Sequence, residues 1–508
     1  MSRGDARTRT WLLSLFASLS AALGGSAWAA KWEIAPTLSV VETYTDNVTL
    51  ASDTAKKSDS VTQLIPGIAV AATGSRLRFS AVYRPELTYY AQGTVDDKVF
   101  HRGNALGTIQ LAQDLFFVDA GASVDQYNVS LGGPLTNNNV YATGNRTTTT
   151  TTFVSPYLVH SFGSAARGEA RFTHSTVDSN DTAAFSNSVA DRAYLRLASG
   201  PRAGVLTWDA DYRKETIVYE TAGDLDTEVV NLNARRLITP TVGLLGRGGY
   251  EYYHYRSGFF PATEGPSWAL GFDWAPSPRS HLAATAGQRF YGNTYSFDFR
   301  NRTRLTAWSA SYSENVTTFR SELFIPATTT TAGYLDTLFS SQFPDPAARQ
   351  KAVDEFIVRT GIPQKLDSAI NIYTTQLLLV KAWNASAGFL GARNVVVGSV
   401  FGMKSNAVVG DVILPSAPNT GTQIGTSLLW NWRISSRNAW NVIATYRRNE
   451  FSSTGEVAKV TDATMGFTRQ FRPRISGSVG YRFQQRDSSF AVNDYTENAI
   501  IAALRAAF

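Results

Sequence analysis

The chain has 508 residues, no cysteine, 43% hydrophobic and 12% aromatic residues, and a formal net charge of +6. Without cysteine neither disulfide staples nor thiolate metal sites can hold it together, and so modest a charge over this length is not a nucleic-acid signature. Beyond the N-terminus there is no run of about 18 apolar residues, which excludes ordinary transmembrane helices. A mean hydropathy of -0.15 instead suits a β-rich chain in which every second residue faces water.

Arg3, Arg7 and Arg9 precede an apolar run from Trp11 to Leu23, and Ala27-Trp28-Ala29 follows as a small-x-small cleavage pattern. Residues 1–29 therefore read as a secretory signal peptide, and residues 30–508 as one exported domain. A domain of this size with no disulfide must rely on a large core or on a closed hydrogen-bonded sheet.

Period-two alternation recurs along the rest of the chain and predicts strands with two unlike faces. Leu77, Phe79, Ala81, Tyr83, Pro85, Leu87 and Tyr89 share one face, against Arg76, Arg78, Arg84 and Glu86 on the other. Trp208, Ala210 and Tyr212 alternate with Asp209, Asp211 and Arg213, and Trp440, Val442, Ala444 and Tyr446 repeat the pattern. Alternation alone fits a soluble sandwich as well as a membrane barrel. The connections separate them. Tight links rich in Pro, Gly and Arg (74–76, 200–202, 276–279, 391–393, 435–437, 472–474) alternate with long links rich in Asn, Asp, Thr, Ser and Gly (46–60, 127–146, 177–189, 408–421). Short periplasmic turns and longer external loops are the asymmetry of outer-membrane barrels.

Strands are predicted at 33–45, 61–73, 76–91, 103–113, 115–127, 149–162, 165–176, 190–199, 203–218, 227–239, 242–254, 266–275 and 280–292. After them come 370–390, 394–404, 421–434, 438–449, 459–471, 475–486 and 495–508. Both termini should be periplasmic, so the count should be even. Residues 293–326 must then add two strands, as 294–301 with 304–314 or as 302–313 with 316–326. The expected fold is an all-β, transmembrane, antiparallel up-and-down barrel of about 22 strands, within bounds of 20 to 24.

Residues 327–368 break the β pattern. Asp345-Pro346 resembles an N-cap with proline at the first helical position, and Gly361 with Pro363 resembles a stop. Ala348, Ala352, Val353, Phe356 and Ile357 form one apolar face, and a shorter helical turn is expected through Tyr334, Leu335, Leu338 and Phe339. Strand parity places this helical insert in an external loop, as a plug or gate or as a loop with its own small core.

Along the predicted strands, Arg247, Arg289, Arg300, Arg302 and Arg304, with Asp209, Asp211 and Arg213, are the candidate pore-lining residues. Charged rings inside a pore set ion or polyanion preference, although such charges also pair simply to satisfy a polar interior. Aromatics at strand ends, among them Tyr89, Tyr90, Trp208, Tyr252, Tyr253, Trp268, Trp274, Trp308, Trp430 and Trp440, are expected as interfacial girdle residues, with sugar stacking as the competing use. Five scattered histidines lack metal-ligand spacing, and neither a Gly-x-Ser-x-Gly elbow nor a Gly-rich phosphate loop is present. No cofactor is expected, and His174 beside Ser175 is a candidate pair for barrel hydrolysis of lipid or glycan, against the simpler reading of a polar strand end near the external rim.

Trp32-Glu33-Ile34-Ala35-Pro36, Glu42-Thr43-Tyr44-Thr45-Asp46-Asn47-Val48, the segments 291–296 and 308–313, and 343–346 through 360–363 together resemble the outer-membrane proteins associated with the PEP-CTERM/exosortase system of exopolysaccharide-producing Gram-negative bacteria. The resemblance spans most of the mature chain and implies an outer-membrane location and a link to polysaccharide or surface-protein export. It identifies a lineage more than a chemistry. The chain lacks a C-terminal Pro-Glu-Pro motif with an apolar helix and basic tail, so it looks like a companion of that sorting system and not its substrate. The expected role is a non-enzymatic pore or export channel, with an occluded structural barrel that scaffolds envelope components as the alternative. Expected partners are outer-membrane lipid, the barrel assembly machinery, and exopolysaccharide or export-system proteins; nucleic acid is not one.

Ile500, Ala502, Leu504, Ala506 and Phe508 alternate to the last residue and are the expected assembly signal, presenting an apolar face to lipid from a final strand that closes the sheet. Deleting Phe508 is therefore expected to lower outer-membrane assembly, measured as heat-modifiable barrel in membrane fractions, while signal cleavage stays intact. Normal assembly would remove that role.

Overall fold

Alternating sequences become strands whose backbone groups need partners, and in lipid only a neighbouring strand can supply them. The computed structural model describes residues 30–508 apart from 130–132, 137, 181–186, 222, 257–261, 319, 321–334, 337, 340–348, 350–351, 354–375, 409–419 and 453. Residues 1–29, read above as a signal peptide, lie outside the described residues.

The strands are β1 (Lys31–Thr45), β2 (Asp59–Thr73), β3 (Leu77–Tyr83), β4 (Glu86–Tyr90), β5 (Lys98–Phe100), β6 (Gly103–Ala112), β7 (Phe116–Asn128), β8 (Arg146–Phe162), β9 (Ala166–Ser179), β10 (Ser188–Ser199), β11 (Leu206–Tyr219) and β12 (Leu225–Thr239). They continue with β13 (Val242–Tyr255), β14 (Thr263–Ser277), β15 (Ser280–Arg289), β16 (Gly292–Arg302), β17 (Thr306–Thr317), β18 (Leu378–Leu390), β19 (Asn394–Ala407), β20 (Gly421–Arg433), β21 (Asn438–Phe451), β22 (Val457–Arg472), β23 (Ile475–Ser488) and β24 (Tyr495–Ala507).

These segments form one antiparallel sheet. β3 and β4 both pair with β2, and they are one stave interrupted at Arg84-Pro85, where proline cannot donate to a ladder. β5 and β6 form the facing stave, interrupted at His101-Arg102. The 24 segments therefore make a barrel of 22 strands. The two strands required between 293 and 326 are β16 and β17, the first of the two expected arrangements.

β24 closes on β1 with Thr37 opposite Ala507 and Thr45 opposite Ala499. Phe508 continues the ladder by donating its N–H to the Pro36 carbonyl at 3.0 Å. At the other end of the seam Asp46 accepts from the Asn498 backbone N–H at 2.7 Å and from its side-chain amide at 2.9 Å. The Thr45 hydroxyl donates to Glu497 Oε1 at 2.7 Å.

Side chains sort by face along every strand. Leu106, Phe172, Leu195, Leu232, Leu244, Leu270, Val479, Ile500 and Leu504 are exposed on the outside, a quantity of bare apolar surface that a soluble protein does not carry. Trp268, Trp274, Trp308 and Trp430 are exposed on this outer face, as expected of a girdle. Tyr90 and Tyr253 are a correction: both fall on the inward parity and are buried, because the aromatic beside each (Tyr89, Tyr252) already occupies the outward position.

Leu270 lies at the middle of β14 and is 64% exposed. Leu270→Arg is expected to destabilise the barrel in vesicles by about 2–4 kcal/mol, the cost of a cation on the lipid face at mid-depth; a shift in the urea midpoint measures it.

Candidate functional site

A barrel of this girth encloses a lumen wider than side chains alone can fill. The turns joining β12 to β13, β14 to β15 and β22 to β23 hold two residues each, whereas residues 46–58, 129–145 and 318–377 form long connections at the other end. By that length rule the short end is periplasmic. Two of the long external connections fold back into the lumen.

The first is the segment between β17 and β18. Arg320, 2% exposed, donates from Nη1 to the Ser188 carbonyl and hydroxyl at 2.9 and 2.6 Å, and from Nη2 to those of Ser175 at 2.7 Å each. It thus leaves β17 and anchors on β9 and β10, across the external mouth. The segment is helical at Leu335, Asp336, Leu338 and Phe339 and again at Arg349, Ala352 and Val353. Leu335, Leu338, Phe339 and Val353 are buried against Ala307, Leu390, Val395, Val397 and Leu429, with Ala352 and Ile443 at the margin. Those wall residues lie at the periplasmic ends of β17–β20, so the insert reaches down the whole lumen. Each of its buried apolar side chains contributes about 1.5–3 kcal/mol to the seat.

Arg349 Nε donates to Asp336 Oδ1 at 2.7 Å and ties the two helical pieces together. On its return the chain passes Leu377, whose N–H donates to the Tyr255 hydroxyl at 2.6 Å and which packs with Ile217, Leu225, Val229 and Tyr253. Of the predicted apolar face, Ala352 and Val353 are therefore in the seat, while Ala348, Phe356 and Ile357 lie outside the described residues. The connection between strands spans 318–377, wider than the expected 327–368.

The second inward segment, residues 129–145, was expected only as an external link. Leu135 packs on Phe451 and Ala458, Val140 on Val48, Val61 and Tyr90, and Tyr141 on Leu50 and Tyr495. Arg486, 1% exposed, donates from Nη1 to the Gly133 carbonyl at 2.6 Å and from Nη2 to Glu456 Oε1 at 2.9 Å. The Tyr141 ring lies 4.8 Å from the Arg482 guanidinium carbon. Val129, Leu131, Leu135, Val140 and Tyr141, five large apolar residues in an otherwise polar link, were the signal that it needed a partner.

The lumen wall of β10–β17 keeps a cavity of about 640 Å³, lined among others by Arg196, Asp209, Asn233, Arg235, Arg247 and Arg289. The register places Asp209, Asp211 and Arg213 on the lumen face of β11, Arg247 on that of β13, Arg289 on β15, and Arg300 and Arg302 on β16. Arg304 is a correction: it lies in the turn 303–305 at the periplasmic rim and not on the wall, because β16 ends at Arg302. Arg300 pairs with Asp298 at 3.1 Å, below the cavity. Arg196, Arg235 and Asn233 were missed, although their strand parity with Asp209 and Asn231 would have found them.

Most of the lining cations are neutralised in place. Arg235 holds Asp273 in two bonds of 2.9 and 2.6 Å, and Arg289 holds Glu251 in two of 2.8 and 2.6 Å. Arg196 stands 3.9 Å from Asp209. Arg247 differs: Nε and Nη2 both donate to the neutral Asn231 Oδ1, at 3.2 and 2.7 Å. Among the described residues no carboxylate lies within salt-bridge distance of it, so its positive charge faces the cavity. Asn231 in turn donates to Asp211 at 3.0 Å, and Asn233 to Asp209 at 3.1 Å.

The candidate hydrolytic pair separates. As consecutive strand residues, His174 and Ser175 point to opposite faces: His174 is outward and 2.8 Å from Asp191, whereas Ser175 is inward and bonded to Arg320. They cannot act on one substrate.

No family model and no curated relative matches the chain. Among solved structures it is similar to the FrpB iron transporter of Neisseria meningitidis (F3-3 variant), with a TM-score of 0.52 and 10% identity over 93% of this chain and 82% of that one. It is also similar to the siderophore receptor PiuA of Acinetobacter baumannii, with a TM-score of 0.50 and 8% identity over 93% and 82%. At such identities the likeness concerns the fold. With the closed sheet and its apolar outer belt, the chain is an outer-membrane β-barrel of the Gram-negative type.

Glu456, in the external link 452–456, shows how the second segment is held. Burial pushes its carboxyl pKa up, but hydrogen bonds from Ser488, Asn493 and Arg486 outweigh this and hold it below the usual carboxylate range. A depressed carboxylate contributes its stability above the unfolded pKa and loses it as pH falls through the folded value, here below about pH 4. Arg486→Ala is expected to cost about 3–5 kcal/mol by stranding Glu456, and external protease should then cut within 129–145 at neutral pH. In the unsubstituted protein the same cleavage should need acid.

Proposed function

We propose that the protein passes an anionic solute or glycan segment across the outer membrane through a lumen that its own inward-folded segments obstruct at rest, without catalysing a reaction. One observation carries this reading: a cavity on the lumen wall of β10–β17, into which Arg247 presents a cation without a carboxylate partner among the described residues. A sealed structural interior would neutralise that charge locally, as it does at Arg235 and Arg289. The fold likeness to an iron transporter and to a siderophore receptor supports passage of something larger than an ion. The resemblance of segments such as 42–48 and 291–296 to PEP-CTERM-associated proteins supports an anionic exopolysaccharide, or a piece of one, as the cargo. Export-system proteins are then the partners that would move the insert.

A scaffold with a permanently closed lumen is the second reading, favoured by the depth of the apolar seat under Leu335, Leu338, Phe339 and Val353. Replacing residues 321–375 with a short Gly/Ser linker separates the two in planar bilayers. The passage reading expects a persistent conductance that the intact protein shows only as brief openings. It also expects an anion preference that Arg247→Glu, placed in the linker variant, reverses. A linker variant that folds, by heat-modified mobility, yet stays electrically silent would leave the scaffold.

A further inference from the structure

Seven of the ten periplasmic turns carry arginine, and Asp114 is the only acidic residue in any of them. The external connections are opposite in sign, with sixteen acidic residues against eight lysines and arginines. Arg76, Arg202, Arg279, Arg393, Arg437 and Arg474 are all exposed, and among the described residues none of the six lies within salt-bridge distance of a carboxylate. Six bare guanidinium groups repel one another and gain nothing from the fold, so the charge is explained by something outside it.

Their neighbours fix their depth. Trp274, Phe389, Trp432 and Phe471 are exposed on the outer face of the strands that lead into the turns of Arg279, Arg393, Arg437 and Arg474, three to five residues away. Large outward rings at a strand end mark the edge of the hydrocarbon, and a residue one turn beyond stands at the level of the headgroups. The turns in question follow β2, β10, β14, β18, β20 and β22, and so run most of the way round the barrel. A folded protein partner touches one sector of a rim, and a polymer threading the lumen meets the inner wall. A ring at constant depth, outside the wall, matches a planar layer of anions.

We propose that this arginine collar binds the phosphate groups of anionic phospholipids in the periplasmic leaflet of the outer membrane, and so sets the depth and direction of the barrel. Guanidinium groups suit phosphate because their fork of N–H donors matches its oxygens. Near an anionic leaflet each basic residue strengthens association about fivefold, and salt screens it. The inference is independent of what crosses the lumen.

The test is native mass spectrometry of the full barrel taken from micelles with equal phosphatidylglycerol and phosphatidylcholine. The collar expects phosphatidylglycerol to be retained selectively, and Arg279→Gln/Arg393→Gln/Arg437→Gln to weaken that retention about a hundredfold with unchanged heat-modified mobility. Lys57→Gln in an external loop should leave retention intact. Equal retention of the two lipids, or selectivity that survives the triple substitution, overturns the proposal. So does a triple variant that keeps its lipid but loses binding of polygalacturonate to the barrel in phosphatidylcholine nanodiscs, which would assign the collar to a polyanion.

Discussion

Everything else in this molecule depends on the ladder between β1 and β24. In hydrocarbon an unpaired backbone N–H or C=O costs several kcal/mol, so an open 22-strand sheet would carry two intolerable edges. The seam from Thr37–Ala507 to Thr45–Ala499 removes both, and Asp46, Thr45 and Glu497 lock its external end with side-chain bonds. Closure also fixes parity. Once β24 descends beside an ascending β1, every inward and outward position along the chain is determined, and with it which arginines see water and which leucines see lipid.

Closing so many strands creates a second problem, an interior that no row of side chains can fill. The molecule meets it with connections, not with a separate core. One segment is held at the mouth by Arg320 and seated far below by an apolar cluster, and the other is pinned by Arg486 and Glu456. Both anchors are buried cations bonded to oxygen, and removing a partner from such a group is costly because it strands a buried charge. On the polar wall of β10–β17 Arg247 keeps its charge bonded only to the neutral Asn231 among the described residues.

Much of the architecture was legible because the barrel imposes strict local rules. A period of two, alternating loop lengths and an even count led to 22 strands, and Arg247, Arg289, Asp209 and Asp211 follow from parity alone. What the sequence left obscure were relations between residues distant along the chain. Nothing near Arg320 says that its partners are Ser175 and Ser188, and nothing near Leu135 names Phe451. Arg304 was misplaced because a strand end is set by where the partner strand turns, which a single-strand pattern does not contain. His174 and Ser175 looked like neighbours in chemistry and are opposed by the pleat.

The insert is a loop with both ends covalently attached at the external rim, to β17 and to β18, while its apolar seat lies at the periplasmic end. Its described anchors therefore differ in kind as well as in depth, polar at the mouth through Arg320 and apolar at the seat, so cooling weakens the seat and leaves the Arg320 bonds in place.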